Sequence, residues 1–292
     1  MQEIEIYENI MVYRDVFDNP QKMFEIVKES SSNNPDRILG EWSKWSQFGQ
    51  YVKDIFPSIV SLNQKTLKPT EFNTETINEL PTNSKIQEDQ KYLLLEIEKG
   101  FIKVTDAYIK KYSNFFDFDK EKTIKTNEGV MVPLWVMDGP SLCKYHKNMI
   151  DHKMSMVYHS DYVREPLQSP GYKFAITANY YFNDEYDGGE IDFYIDKNLI
   201  KYKPQAGDWL VFPSGHPDVL TKNDQVYIHG VFPSWNAEKY FCRSYWKKYD
   251  VGSPEWFAKE KEFGKEVWAS MQDDIMREYR PTRFEIPEGK RL

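Results

Sequence analysis

Residues 172–195 read YKFAITANYYFNDEYDGGEIDFYI. Two runs rich in Phe, Tyr, Ile and Thr flank a joint made of Asn, Asp and Gly. Short β-branched and aromatic runs separated by turn formers predict antiparallel strands. The same texture continues outward on both sides. Upstream lie GVMVPLWVMDG (129–139) and KMSMVYHSDY (153–162); downstream lie GDWLVFPSG (207–215), QVYIHGVF (225–232) and KYFCRSYW (239–246). Residues 125–250 therefore predict a β-sandwich or barrel.

The flanks have a different period. In residues 84–113, Leu93, Leu94, Ile97, Phe101, Val104, Tyr108 and Ile109 recur at steps of three and four, which predicts one long helix with a single buried stripe. Gly100 within it weakens the helix slightly. Asn19-Pro20 opens a short helix over QKMFEIVKES. The aromatic stretch GEWSKWSQFGQYVKDIF (40–56) is expected as a helical cap over an edge of the core. After Trp246, Ser253 and Pro254 mark a helix start, and Trp256, Val267, Met271 and Ile275 its buried face. The whole is a mainly β core with helical flanks (α+β), expected as one domain over 1–292. It divides into a helical support region (1–124), the β-core (125–250) and a C-terminal helix and tail (251–292).

Composition narrows the function classes. The 292 residues are 40% hydrophobic and 16% aromatic, with mean hydropathy -0.70, enough for one large core. A formal charge of -8 argues against general nucleic-acid binding, which needs clustered Lys and Arg. The two distant cysteines, Cys143 and Cys242, make neither a disulfide framework nor a zinc knuckle. A basic leader followed by an apolar run is not seen, nor is an 18-residue apolar stretch, so the expectation is a cytoplasmic protein with no membrane span.

The chemistry concentrates in His159-Ser160-Asp161, then His229, then Lys239. Residues i and i+2 of a strand share a face, so His159 and Asp161 can reach one ion. Two candidates compete for the third ligand. His216 sits in the turn-rich SGHPDV, whereas His229 sits in the strand-like QVYIHGVF and is better placed on rigid structure. Two imidazoles and one carboxylate with open positions suit non-haem Fe(II). Lys239, ten residues past His229, suits the far end of a small dicarboxylate. Arg243 lies on the same strand face as Lys239 and competes for that carboxylate or for the substrate.

The ordered set Tyr158-His159-Ser160-Asp161, YYFN (180–183), Gly188-Gly189-Glu190, Gly207-Asp208-Trp209, His229-Gly-Val231-Phe-Pro233 and Lys239-Tyr240 resembles the prolyl 4-hydroxylase family of Fe(II)/2-oxoglutarate dioxygenases. The resemblance covers roughly residues 140–247. It implies a double-stranded β-helix (a jelly roll, cupin-like) with His159, Asp161 and His229 as iron ligands. It also implies Lys239 as the grip on the distal carboxylate of 2-oxoglutarate, with Tyr181 hydrogen-bonding the same group. The implied reaction is hydroxylation of an aliphatic C–H bond, of peptidyl proline first, with O2 as oxidant and succinate and CO2 as co-products. Family habit adds ascorbate. Two departures stand out: Ala237 stands where the family usually has a glycine, and the usual tyrosine about ten residues upstream of His-x-Asp is lacking, Tyr145 lying further away. The alternatives are an acceptor that is a free amino acid or other small molecule, a non-catalytic jelly-roll binding protein, and a zinc-dependent hydrolase.

Overall fold

The structure is a computed structural model. It describes residues 1–30, 43–47, 50–55, 77–78, 82–113, 116, 118–125, 129–145, 156–159, 161, 172–195, 198–214, 227–232 and 234–249, some of them by backbone alone. The C-terminal helix expected after residue 251, and His216, lie outside these residues.

Among the described residues, sixteen strands and two helices follow in chain order. They are β1 (Gln2–Tyr7), β2 (Ile10–Arg14), α1 (Pro20–Ser30), β3 (Ser43–Gln47), β4 (Gln50–Ile55), α2 (Lys85–Lys111), β5 (Thr123–Lys125), β6 (Met131–Pro133) and β7 (Trp135–Tyr145). Then come β8 (Met156–His159), β9 (Tyr172–Tyr181), β10 (Asp187–Gly188), β11 (Ile191–Ile195), β12 (Asn198–Tyr202), β13 (Trp209–Pro213), β14 (Ile228–Val231), β15 (Ser234–Trp235) and β16 (Lys239–Tyr249). Eight strands form a major sheet in the order β1-β2-β13-β9-β16-β7-β4-β3, and four form a minor sheet in the order β12-β11-β14-β8. All pairings in both are antiparallel. This is the expected jelly roll.

Period-two alternation explains why two sheets stack and a helix covers one of them. In β2, Met11 and Tyr13 face α1 and α2, while Ile10 and Val12 face the minor sheet. In β13, Trp209 and Val211 face the helices, and Leu210 and Phe212 face inward. Two apolar layers result. One lies between the major sheet and the helices; the other lies between the sheets and holds the cavity described below.

α2 is the long helix expected from its stripe: Leu93, Leu94, Ile97, Phe101, Val104 and Tyr108 are fully buried against the sheet. Ser84 caps it by accepting from the Gln87 N–H, which satisfies one of the orphan donors of the first turn. Gly100 is required rather than merely tolerated. A Cβ there would stand 2.3 Å from the Phe17 ring and 3.0 Å from Trp209, so the glycine lets the helix approach the sheet. No helix among the described residues is long and apolar enough to cross a membrane.

Two expectations for residues 1–124 are corrected. The region is not simply helical: β1 and β2 form a hairpin around Asn9, at φ +62°, and β2 pairs with β13. IEIYENIMVY alternates at period two about an Asn turn, and that pattern is a strand pattern. Within the stretch 40–56, expected as a helical cap, the described residues are strands. Residues 43–47 and 50–55 form the hairpin β3–β4 and extend the sheet beyond β7. Trp45, Tyr51, Val52 and Ile55 favour strands, and the hydrogen-bonding edge of β7 gives them a partner.

Candidate active site

The inward faces of five strands and one loop residue meet in a cavity that is partly open to solvent. From the major sheet come Tyr145 of β7, Asn179 and Tyr181 of β9, and Lys239, Phe241 and Arg243 of β16. From the minor sheet come Ile191, His229 and Val231; Asp161 closes one end. The contributions of β9 and β16 follow from alternation and register. Tyr180 and Cys242 belong to the helix-facing core, so Tyr181, Phe241 and Arg243 turn inward. Phe241 pairs with Tyr181 and Arg243 with Asn179, which places these side chains side by side.

At the acidic end, Asp161 and His229 are both buried, and His229 Nε2 faces Asp161 Oδ2 at 3.8 Å. The other ring nitrogen, Nδ1, lies 3.1 Å from the Tyr227 carbonyl. A carbonyl only accepts, so Nδ1 carries the proton and Nε2 presents its lone pair, the tautomer of a metal ligand. Phe212 and Phe193 pack at 5.0 and 5.8 Å from the imidazole and hold its plane. Thr177 Oγ1 donates to Asp161 Oδ2 at 2.8 Å and lies 2.8 Å from Ser214 Oγ. A relay of two hydroxyls thus fixes the carboxylate.

The backbone places His159 directly opposite His229 across the β8–β14 pair, with a bulge immediately beyond in β8. Bulges beside functional sites re-aim side chains. The side chain of His159 lies outside the described residues. Asp161 departs from the sequence expectation in one respect: β8 ends at His159, so the carboxylate two residues on lies past the strand rather than on it. Among the described residues no three His, Cys, Asp or Glu side chains gather. The donors that are described, one carboxylate oxygen and one imidazole nitrogen in the right tautomer, fit a hard-to-borderline divalent metal such as Fe(II).

At the opposite end stands Lys239, 1% exposed. Its Nζ donates to the Gly189 carbonyl and lies 5.0 Å from the centre of the Tyr181 ring and 5.6 Å from that of Tyr186. Burial, reinforced by the nearby Lys203 cation and opposed by Glu190, lowers its pKa to about 7. Gly188 and Gly189 both adopt positive φ, and a Cβ on Gly189 would lie 2.6 Å from Tyr186 and 3.4 Å from Lys239 Cδ. The glycine pair lets the chain come close enough to receive the lysine. Tyr181 is buried, and its phenol is held well above the ordinary pKa by desolvation, so it acts as a neutral hydrogen-bonding group.

Arg243 lines the same cavity. Burial opposes its charge, but Tyr245, Cys143, Asp161 and Tyr145 outweigh that and hold its pKa above the usual value. Its Nε is buried and has no hydrogen-bond partner among the described residues. The structure thus brings Asp161, His229, Lys239, Tyr181 and Arg243 to one cavity. It adds Tyr145, Thr177, Asn179 and Phe241, for which the sequence reading assigned no role. Thr177 and Asn179 stand four and two residues before Tyr181, a period-two signal that identifies the face once Tyr181 is known. Tyr145, stacked on Phe241 at 5.1 Å, is reached only through the β7–β16 register, which pairs it with Lys239.

Residues 143–247 match the model of the 2OG-Fe(II) oxygenase superfamily. No curated protein sequence matches the chain. Among solved structures, the dioxygenase for auxin oxidation of Arabidopsis thaliana, in its 2-oxoglutarate complex, has 10% identity and a TM-score of 0.52, covering 85% of this chain and 90% of that one. A viral collagen prolyl hydroxylase from Paramecium bursaria Chlorella virus-1 has 11% identity and a TM-score of 0.43, covering 82% and 96%. A prolyl-4-hydroxylase from Pseudomonas putida has 11% identity and a TM-score of 0.44, covering 82% and 92%. The likeness to the auxin dioxygenase is one of fold, and it agrees with the family match. Residues 143–247, within the β-core, are thus similar in sequence to the 2OG-Fe(II) oxygenase superfamily, a family named for Fe(II) and 2-oxoglutarate.

Proposed function

We propose that the protein is an Fe(II)- and 2-oxoglutarate-dependent dioxygenase that hydroxylates an aliphatic C–H bond. The observation that carries this reading is the polarity of one cavity: Asp161 and His229 gather by Thr177 of β9 and Lys239 by Tyr181, four residues further along the same strand. His159, Asp161 and His229 would hold the iron. Lys239 and Tyr181 would hold the distal carboxylate of 2-oxoglutarate. When bound, Fe(II) with 2-oxoglutarate and O2 supplies the oxidising power for C–H cleavage, with succinate and CO2 as co-products.

The protein's own part is positioning and exclusion. Thr177 keeps Asp161 turned toward His229, and the Nδ1–H bond of His229 keeps its Nε2 available. Lys239 meets the dicarboxylate in a dry setting, where a charge-assisted bond is strong. Tyr181, Tyr186 and Phe241 wall that end and exclude water. Peptidyl proline is the acceptor that the family resemblance points to. A small-molecule acceptor is the second reading, and the observation that favours it is Arg243, a half-buried cation that lines the cavity.

The test is an anaerobic titration of the full chain with Fe(II) and 2-oxoglutarate, followed by the visible charge-transfer band of the chelate. His229→Ala is expected to abolish iron binding. Lys239→Met is expected to weaken 2-oxoglutarate by about 10- to 100-fold, the worth of one charged hydrogen bond, with iron affinity kept. A wild-type protein that binds iron but shows no band with 2-oxoglutarate would end this reading. Equal 2-oxoglutarate affinity in wild type and Lys239→Met would move the carboxylate grip elsewhere.

A further inference from the structure

The cavity contains two basic side chains, and one dicarboxylate gives only one of them a clear task. Lys239 and Arg243 share a face of β16, four residues apart, so their backbones are separated by about 13 Å at about 3.3 Å per residue. Lys239 reaches the closed end near Gly189. Arg243 lines the same cavity, close enough to Asp161 for that carboxylate to act on its charge. The carboxylate does not neutralise it by contact: among the described residues Asp161 accepts from Thr177 and faces His229, and it forms no ion pair with Arg243.

Arg243 is half-buried, and its Nε is shut off from water without a partner among the described residues. A buried donor left unpaired is unfavourable. A planar fork of donors lining a cavity, with a donor to spare, matches a carboxylate.

Charge balance points to the source of that carboxylate. A ferrous dication, the Asp161 carboxylate, a dianionic 2-oxoglutarate and a protonated Lys239 sum to zero. That neutral set would suit an uncharged peptide segment. Arg243 adds one positive charge that neither metal nor cosubstrate cancels. Resting on the dioxygenase reading above, we propose that Arg243 anchors the carboxylate of the primary substrate, which is therefore a small carboxylic acid rather than an internal peptide residue. The acid group is held beside the metal end, and the C–H bond to be oxidised lies a few bonds away from it.

The test uses the full chain, anaerobic and loaded with Fe(II) and 2-oxoglutarate. Acetate, benzoate and N-acetylglycine are titrated in, each against its primary amide, and binding is read by calorimetry and by perturbation of the visible band. The wild type is expected to prefer at least one acid over its amide by about tenfold or more, the scale of a charge-assisted bidentate pair. Arg243→Gln should erase that preference, and Arg243→Lys should keep part of it, while 2-oxoglutarate affinity stays within about threefold in both. The comparison of acid with amide in the wild type needs no variant and stands if Arg243→Gln fails to fold. No preference in the wild type overturns the proposal. So does an Arg243→Gln protein that loses 2-oxoglutarate but keeps its preference for acids, because the arginine then serves the cosubstrate. Absence of the band in the iron-loaded wild type sinks the dioxygenase reading instead. The acid–amide comparison is therefore repeated on metal-free protein, so the two failures are distinguishable.

Discussion

A single hydroxyl sets the direction of the Asp161 carboxylate. Thr177 donates to Asp161 Oδ2 and is itself tied to Ser214. Thr177→Val keeps the shape of the side chain and removes the donor. It is expected to lower Fe(II) affinity by about 10- to 100-fold, the usual cost of losing an outer partner of a ligand, with little change in 2-oxoglutarate affinity; calorimetry on both ligands checks it. Lys239 makes a pH prediction. Its pKa in the ligand-free protein is lowered to about 7 by burial, and a bound carboxylate raises it again, because an opposite charge favours the protonated form. Binding therefore takes up a proton above pH 7. Affinity for 2-oxoglutarate should be level below about pH 7 and fall by up to about tenfold per pH unit above it, until the bound-state pKa is reached. Lys239→Met should flatten the profile, and a pH-independent wild type would show that the lysine is not the partner.

At the level of elements, β9 and β16 do most of the positioning. Their pairing sets Tyr181 beside Phe241 and Asn179 beside Arg243, so a one-residue slip would carry every cavity side chain into the helix-facing layer. The opposite face of the same sheet depends on how closely α2 approaches. Alanine is the better helix former by about 1 kcal/mol, yet Gly100→Ala is expected to destabilise the protein by about 1–3 kcal/mol, the cost of overpacking. The reason is the Phe17 ring, 2.3 Å from the added Cβ. Denaturant unfolding measures the loss, and Phe17→Leu in the same chain should recover part of it. An unchanged or raised midpoint for Gly100→Ala would mean that Phe17 moves aside freely. The helical stripe of α2 was legible in its sequence because its period of 3.6 runs unbroken from Leu93 to Ile109, between about four and five turns. The strands at 43–55 were not, because short aromatic runs pack as well on a helix as on a strand, and only the open edge of β7 selects between them.

For the molecule as a whole, the N-terminal hairpin is part of the core. Ile10, Met11, Val12 and Tyr13 are fully buried and serve both apolar layers. Arg14 Nε pairs with Asp208 at 2.7 Å, a carboxylate fully buried beside Tyr202. Four such side chains at about 1.5–3 kcal/mol each rival the whole stability of a domain, about 5–15 kcal/mol. A chain that begins after residue 14 is expected to be insoluble or to lack a cooperative thermal transition, and circular dichroism would show it. A truncated protein that still binds Fe(II) and 2-oxoglutarate would make the hairpin an accessory instead.

The residue order alone determined that a β-core carries His159, Asp161, His229 and Lys239, because strand periodicity and ligand chemistry are local properties of the chain. It also marked Arg243 as sharing a face with Lys239, since alternation needs no partner strand. Tertiary structure decided what depends on register and on the stacking of two sheets. It brought Tyr145 opposite Lys239, set Thr177 under Asp161, turned Nε2 of His229 toward the carboxylate, and buried Lys239 deeply enough to weaken its hold on a proton. Those outcomes depend on residues far apart in the chain, and only the packed fold sets how they meet and how much water remains between them.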